Sequence, residues 1–267
     1  MRWSPEAEAA VKKVPFFVRK KVRARVEEET RAAGNRIVSL AHVKAAQARF
    51  LKKMSADIKG YQVDTCFAAA GCPNRLIPSD HLLDRVENLL TRADLLSFLK
   101  KRVRGELKYH HEFRITFAEC PNACSQPQIK DIGIIGACRP QLTNTDCDLC
   151  ESCVAACPDG CIVTNEAKDR PRLNHEGCMS CGKCIAACPS GTITEKERGY
   201  RVQLGGKLGR HPRLAMELPG IYSDEQVLEI IKYCIRLYKK RSTGGERFAE
   251  IFKPVDVPDL ISALQQQ

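Results

Sequence analysis

Fifteen cysteines stand in this 267-residue chain, and their spacing is its most chemical feature. Eight belong to an internal repeat, in which CDLCESCVAACP from Cys147 recurs as CMSCGKCIAACP from Cys178. Each copy has the form C-x2-C-x2-C-x3-C-P. Three closely spaced thiolates of such a run wrap one face of a 4Fe-4S cubane, and the last cysteine reaches the partner cubane. This rule assigns Cys147, Cys150, Cys153 and Cys188 to one cluster, and Cys178, Cys181, Cys184 and Cys157 to the other; Pro158 and Pro189 end the runs. Structural zinc draws its ligands from separated cysteine pairs, and two crowded runs of four disfavour it. The chemistry expected of the repeat is one-electron storage and transfer.

A second constellation consists of Cys66 and Cys72, spaced C-x5-C, and Cys120 and Cys124, spaced C-x3-C. Together the two pairs can form a further four-thiolate site, for which spacing admits either a cubane or zinc. Cys138, Cys161 and Cys234 are left over and read as small buried hydrophobes.

Some elements must position these cysteines. Residues 1–57 read as helical: Val11, Val14, Val18, Val22 and Val26 recur at three- and four-residue steps, as do Val43, Ala46, Phe50 and Met54, and Pro15 either kinks or restarts the first helix. Leu82, Leu83, Val86, Leu89 and Leu90 predict one further helix and Leu95, Phe98, Leu99 and Val103 another, with Thr91 and Asp94 as a cap between them. Alternation over Phe113–Phe117 predicts a half-buried strand with Arg114 and Thr116 on the face away from the core, and this strand would bring the two cysteine pairs together. Ile129–Ile135 and Tyr200–Leu204 read as strands. Ser223 and Gln226 cap a last helix whose stripe is Val227, Ile230, Ile231, Cys234 and Tyr238. The fold class is therefore α+β.

The formal charge is +11, yet the basic stretch Arg19, Lys20, Lys21, Arg23, Arg25 runs straight into Glu27, Glu28 and Glu29, which argues against a nucleic-acid partner. Anionic clusters buried in the protein need cations near them, and that is the better use of the excess. No apolar run reaches membrane-spanning length and MRWSPEAEAAVKKVPFF lacks a signal-peptide core, so a cytoplasmic protein without membrane insertion is expected, its thiols kept reduced.

Three segments carry a family resemblance: TCFAAAGC, EFRITFAECPNAC followed by IKDIGIIG, and GYRVQLGGKLGRHPRLA. They resemble the sirohaem and 4Fe-4S half of the sulfite and nitrite reductases over residues 60–141 and 196–250. The resemblance implies a third cubane on Cys66, Cys72, Cys120 and Cys124, with Cys124 bridging to sirohaem iron. It also implies that Arg114, Asn122, Lys207, Arg210 and Arg213 surround the sirohaem carboxylates, and that Cys124, Arg114, Lys207 and Arg210 serve catalysis. Two departures stand out. Glu119 replaces a glycine common in the family before Cys120, and the half-domain that usually precedes the first cysteine pair is replaced by the helical residues. Those residues, with Trp3, Glu6, Ala7, Pro15 and Arg19, resemble a small helical domain of protochlorophyllide reductase subunits.

The expected layout is a helical domain at 1–57, a reductase domain split into 58–141 and 196–267, and a dicluster ferredoxin domain inserted at 142–195. The implied activity is six-electron reduction of sulfite to sulfide with three 4Fe-4S clusters and sirohaem. Nitrite reduction, or electron transfer as a non-catalytic subunit, are the alternatives. The expected partners are a small anion (sulfite or nitrite), a low-potential electron-donor protein, and a partner subunit or second copy that completes the pocket.

Overall fold

The computed structural model describes residues 1–165 and 168–265; the side chains of residues 53, 54, 165, 168 and 169, including the expected stripe residue Met54, lie outside the described set. The chain divides into two compact units, residues 1–58 with 103–110, and residues 59–102 with 111–267.

In the first unit, β1 (Arg2–Trp3) pairs in parallel with β2 (Ile37–Val38), and three helices follow the chain: α1 (Pro5–Lys12), α2 (Phe16–Ala32) and α3 (Leu40–Ala56). Ser4 caps α1 by accepting the Ala7 N–H at 3.3 Å, and Pro5 occupies the first turn, where its missing N–H costs nothing. Pro15 sits at the N-cap of α2, as the sequence predicts of a restart. The core joins Ala7, Val11, Val26, Val38, Val43 and Ala46 under Trp3, whose indole N–H donates to Glu27 at 2.6 Å while Arg23 lies over its ring. Three described stripe members do not join it: Val14 is half-buried elsewhere, Phe50 is 52% exposed and Val18 36%. Periodicity places a residue on a helix side but does not say how wide the covered side is.

The second unit is built on a five-stranded sheet ordered β3-β4-β5-β8-β9. Chain order runs β3 (Tyr61–Thr65), α4 (Asp80–Ala93), α5 (Leu95–Arg102), β4 (Phe113–Ala118), β5 (Ile132–Leu142), α6 (Ser152–Ala156), β6 (Ile162–Asn165), β7 (Lys168–Leu173), α7 (Lys183–Ala187), β8 (Ile193–Leu204), β9 (Met216–Glu217), α8 (Asp224–Arg241), α9 (Phe248–Ile251) and α10 (Asp256–Gln265). Strands β3, β4 and β5 are parallel, so each pair needs a return connection, and α4 and α5 make the first. Strands β5 and β8 are antiparallel from Ile132↔Leu204 to Leu142↔Ile193, and the whole cysteine repeat lies between them in the chain. Phe113 packs on Tyr238 and Phe248 with ring centroids 5.3 and 5.4 Å apart, locking β4 to α8 and α9. The capping box of Ser223 and Gln226 starts α8, and its stripe is buried throughout.

Three expectations need correction. Strand β4 is central and parallel, covered on both faces: Thr116 is fully buried and donates to the Asp64 carbonyl at 3.1 Å. A strand paired on both sides is not half-buried merely because polar residues alternate in it. Strand β5 begins at Ile132 rather than Ile129, because Pro127–Ile129 form a 3-10 turn. Between α4 and α5 the cap is Asp94 alone, in left-handed backbone, accepting the Ser97 N–H; Thr91 instead bonds back to the Glu87 carbonyl within α4.

Candidate functional site

The two cysteine runs adopt the same backbone shape. Leu149 and Glu151 flank Cys150 with φ of 55° each, and Ser180 and Gly182 flank Cys181 with φ of 58° and 70°. Left-handed residues on both sides of a cysteine curl the chain, and three of these four carry a side chain at some steric cost. Helices α6 and α7 then carry Cys153 and Cys184, and end at Cys157 and Cys188.

The fourth cysteine of each run lies with the other run. Cys157, Cys178, Cys181 and Cys184 line one hollow, with Cys161 beside them. Cys147, Cys150, Cys153 and Cys188 line a second. Burial, and then the neighbouring Cys178, Cys181 and Cys157, push the Cys184 thiol up to about 12. The Cys153 thiol is raised by burial first, with Cys188 and Cys147 adding to it. Cys188 goes the other way: burial opposes its thiolate, but N–H groups led by that of Ile193 outweigh it. Four crowded, half-desolvated thiols need a cationic core to ionise together, and an iron–sulfur cube supplies one. Among the described residues no three His, Cys, Asp or Glu side chains close on a single ion; the sulfurs stand around hollows instead.

The third set is gathered by strand pairing. Thr65 lies opposite Phe117 in the β3–β4 ladder, so the residues that follow each strand leave the sheet side by side. Cys66 donates its N–H to the Phe117 carbonyl at 3.0 Å and receives the Glu119 N–H on its sulfur at 3.4 Å. A 3-10 turn, Phe67–Ala70, brings Cys72 back towards it. Burial raises the Cys120 thiol first, and Cys66, Cys124 and Cys72 are all near enough to raise it further, against the pull of the Asn122 N–H. Cys124 is exposed, and Ala123 and Gln126 around it have φ of 53° and 58°. Gly136 on β5 lets this loop lie down, since a Cβ there would meet the Glu119 carbonyl oxygen at 2.6 Å. Glu119 does not aim its carboxylate at the cysteines. It accepts from Arg75 Nε at 2.6 Å and from the Ser79 N–H and hydroxyl at 2.8 Å each, tying the segment after Cys72 to the Cys120 loop.

The leftover cysteines Cys138, Cys161 and Cys234 are buried, as the sequence reading expects, but Cys138 and Cys161 also have polar partners. Cys138 stays a neutral thiol, pushed up to about 12 by burial and then by Glu195, to which it donates at 3.2 Å.

The basic residues are placed less uniformly. Lys207 pairs with Glu250 at 3.0 Å, and Arg213 spends its guanidinium on the carbonyls of Gly205, Ala249 and Phe252, a structural clasp. Arg210 and Asn122 are exposed. Arg114 lies at the start of β4, where its N–H donates to Asp131 at 2.9 Å. Strand register puts Leu204, just before this basic loop, level with Ile132 and Ile115, about three residues or ~10 Å along the strand from the end that carries Cys120. The return segment from Cys124 to Lys130 bridges that span, held by Ser125 Oγ on the Phe117 carbonyl and by the Ala215 N–H on Gln128. Sequence patterns missed Arg247 and Asp131. Nε and Nη2 of Arg247 are buried without a partner, as is Oδ1 of Asp131, and Nη1 of Arg247 donates to the Leu208 carbonyl. Burial pushes the Asp131 carboxyl up to about 6 despite Arg247 and Arg114 nearby. Waiting buried donors on a guanidinium fit a polyanionic group such as a carboxylate-bearing tetrapyrrole.

A family model described as "Nitrite and sulphite reductase 4Fe-4S domain" matches residues 62–267. The chain belongs to that family. Residues 3–47 separately match "Proto-chlorophyllide reductase 57 kD subunit". Among individual proteins, this nitrite and sulphite reductase domain chain is 37% identical over 147 residues to the coenzyme F420-dependent sulfite reductase of Methanocaldococcus jannaschii, covering 54% of this chain and 23% of that protein. It is 58% identical over 40 residues to a light-independent protochlorophyllide reductase subunit of Pelodictyon phaeoclathratiforme, covering 15% of this chain and 8% of that one. Dissimilatory sulfite reductase I shares the fold at a TM-score of 0.52 and 16% identity, over 82% of this chain and 57% of that chain. The chain thus spans less than a quarter of the two curated relatives it matches. No helix among the described residues is long and apolar enough to cross a membrane.

Proposed function

We propose that this family member is a sirohaem- and 4Fe-4S-dependent reductase that takes single electrons through two ferredoxin-type clusters and uses them on sulfite. The observation that carries the reading is the gathering of twelve cysteines into three sets of four, two around hollows and one at the ends of paired parallel strands. Cys147, Cys150, Cys153 and Cys188 would hold one cube, Cys178, Cys181, Cys184 and Cys157 the second, and Cys66, Cys72, Cys120 and Cys124 the third. Sirohaem, when bound, supplies an iron that binds a small anion and accepts electrons one at a time.

The chain's own residues have distinct tasks. Peptide N–H groups of Glu119, Ser180, Cys161 and Ile193 donate to ligand sulfurs at 3.2–3.4 Å, and such bonds help set the potential at which each thiolate cage holds an electron. Arg247 and Arg114 offer cationic donors to the tetrapyrrole carboxylates beside Asp131, and Arg210, on the exposed loop, to an incoming anion. On this reading Cys124, which is exposed, would serve as the bridging thiolate.

A second reading is supported by the engagement of Lys207 and Arg213 within the protein and by the exposure of Cys124. On that reading the chain transfers electrons as a subunit, and a partner or second copy closes the pocket and contributes the substrate cations. Anaerobic purification with cofactor analysis separates the two. The reductase reading expects about twelve irons in three cubes, plus about one in sirohaem, and sulfide from sulfite with a low-potential donor. Full sirohaem with neither sulfide from sulfite nor ammonia from nitrite, alone or with partners, leaves the electron-transfer subunit.

A further inference from the structure

A continuous run of hydrogen bonds joins the Cys178 set to the Cys66 set, and most of it lies in residues that hold no metal. At one end the Ser180 N–H donates to Cys178 Sγ at 3.4 Å, and the Ser180 carbonyl accepts the Cys138 N–H at 2.6 Å. The Cys138 thiol donates to Glu195 at 3.2 Å, and Arg198 binds the same carboxylate oxygen through Nε at 2.8 Å. Arg198 Nη1 then reaches across to the Leu76 carbonyl at 3.1 Å. The Leu76 N–H donates to the Glu119 carbonyl at 3.1 Å, and the Glu119 N–H ends the run on Cys66 Sγ at 3.4 Å.

Packing follows the same line. Cys138 bridges to Cys181 as an isolated β partner, and a Cβ on Gly182 would lie 3.3 Å from the Cys138 Cβ and 3.4 Å from Leu76 Cδ1. The Cys147 set is tied elsewhere: Cys188 is bound to the Ile193 N–H at the start of β8, and Cys150 is exposed. Arg198 is the sole side chain in the run that spans from β8 to the segment after Cys72. Its ion pair with Glu195 is 46% and 37% exposed, so it contributes little to folding, and a stability role does not explain why the guanidinium is shared with the Leu76 carbonyl.

We propose that Arg198 is a positioning residue that, through Glu195 and Cys138, couples the Cys178 cage to the Cys66 cage, so that electrons move from the Cys147 cage to the Cys178 cage to the Cys66 cage. This rests on the three-cluster reading above. Each transfer oxidises the iron of one cage by one electron and reduces that of the next by one; no bond forms or breaks, and no proton moves. Tunnelling through a bonded path decays less steeply than across a gap, and Arg198 fills the gap between Glu195 and Leu76.

The test uses anaerobically reconstituted full-length protein with Arg198→Ala, Arg198→Lys and Cys138→Ala, and Arg139→Ala as control, since Arg139 pairs with Glu197 on the neighbouring rung at similar exposure. Iron content and electron paramagnetic resonance count the clusters, and flash photoreduction times the loss of the ferredoxin-cluster signal to the third. Arg198→Ala is expected to keep every cluster and slow the transfer severalfold, because it removes the one link between Glu195 and the Leu76 carbonyl. Arg198→Lys recovers part of it, Cys138→Ala slows it, and Arg139→Ala leaves it unchanged. A wild-type rate in Arg198→Ala with three clusters present overturns the coupling alone, and so does loss of a cluster in that variant, which makes Arg198 structural. A wild-type protein lacking the third cluster overturns the coupling together with the three-cluster reading.

Discussion

Glu119→Ala tests whether the Cys66–Cys72 segment is held by a buried carboxylate. The Glu119 side chain is 4% exposed and accepts four hydrogen bonds: two from Arg75, and one each from the Ser79 N–H and hydroxyl. Truncation leaves the Ser79 groups buried without that acceptor, at about 1–3 kcal/mol for an unsatisfied group. Arg75 is 28% exposed, regains water and keeps Asp80, so its loss is small. The sum is about 3 kcal/mol. For a folded unit of about 200 residues each kcal/mol moves Tm by about 2–4 °C, so a drop of about 6–12 °C is expected. The assay is thermal unfolding of anaerobic holoprotein by circular dichroism at fixed scan rate, with Glu119→Gln, which keeps an acceptor for Ser79, falling in between. Burial works against the Glu119 carboxylate, but the bonds from Arg75 and Ser79 outweigh it and hold its acidity below the usual carboxyl range. Its stabilisation is therefore present above about pH 4, the unfolded value, and is lost as pH falls through the folded one. A Tm within about 2 °C of wild type, on the same scale, would falsify the proposed clasp.

Cys157→Ser should disturb the resonance of the Cys178 cluster while sparing that of the Cys147 cluster; damage confined to the latter would contradict the crossed ligand sets. Cys124→Ser should uncouple sirohaem from the third cube and leave both ferredoxin-type clusters intact, read from optical and resonance spectra of the same sample; loss of the ferredoxin signals would show that the sites are not independent. Asp131 has its folded acidity raised to about 6 by burial, so the folded chain holds a proton that the unfolded chain releases near pH 4, and stability falls as pH rises from about 4 to about 6. Asp131→Asn keeps an acceptor for the Arg114 N–H and should flatten that part of the curve; denaturant midpoints across the range check it, and an unchanged slope would assign the dependence elsewhere.

The cysteine repeat was legible because most of its chemistry is local: Cys147, Cys150 and Cys153, like Cys178, Cys181 and Cys184, meet wherever the chain curls, and the second copy of the run supplies the fourth thiol of each set. The curl itself was not legible, since Leu149, Glu151 and Ser180 adopt left-handed backbone that none of these residue types announces. Paired signals such as Ser223 with Gln226 were readable, for the bonds they make lie within one turn. What failed depended on distant partners. Thr116 looks solvent-facing until its hydroxyl meets the Asp64 and Ser125 carbonyls and is buried, and Arg213 looks like an anion ligand until α9 presents its carbonyls. Asp131 lies inside IKDIGIIG and Arg247 in none of the quoted segments, and only the fold brings the two together. The sequence also offered no sign that residues 103–110 belong with the first unit rather than with the helix preceding them.

Leu142 and Ile193 are rung partners, so the chain departs from the sheet and rejoins it at one place. A detour whose entrance and exit coincide pulls on neither strand, and its closure cost grows only with the logarithm of its length. Fifty residues or a two-residue turn would leave the same ladder behind. The junction therefore behaves as a socket: evolution or an engineer can exchange the eight-cysteine segment plugged into it without rewiring the ladder that carries it.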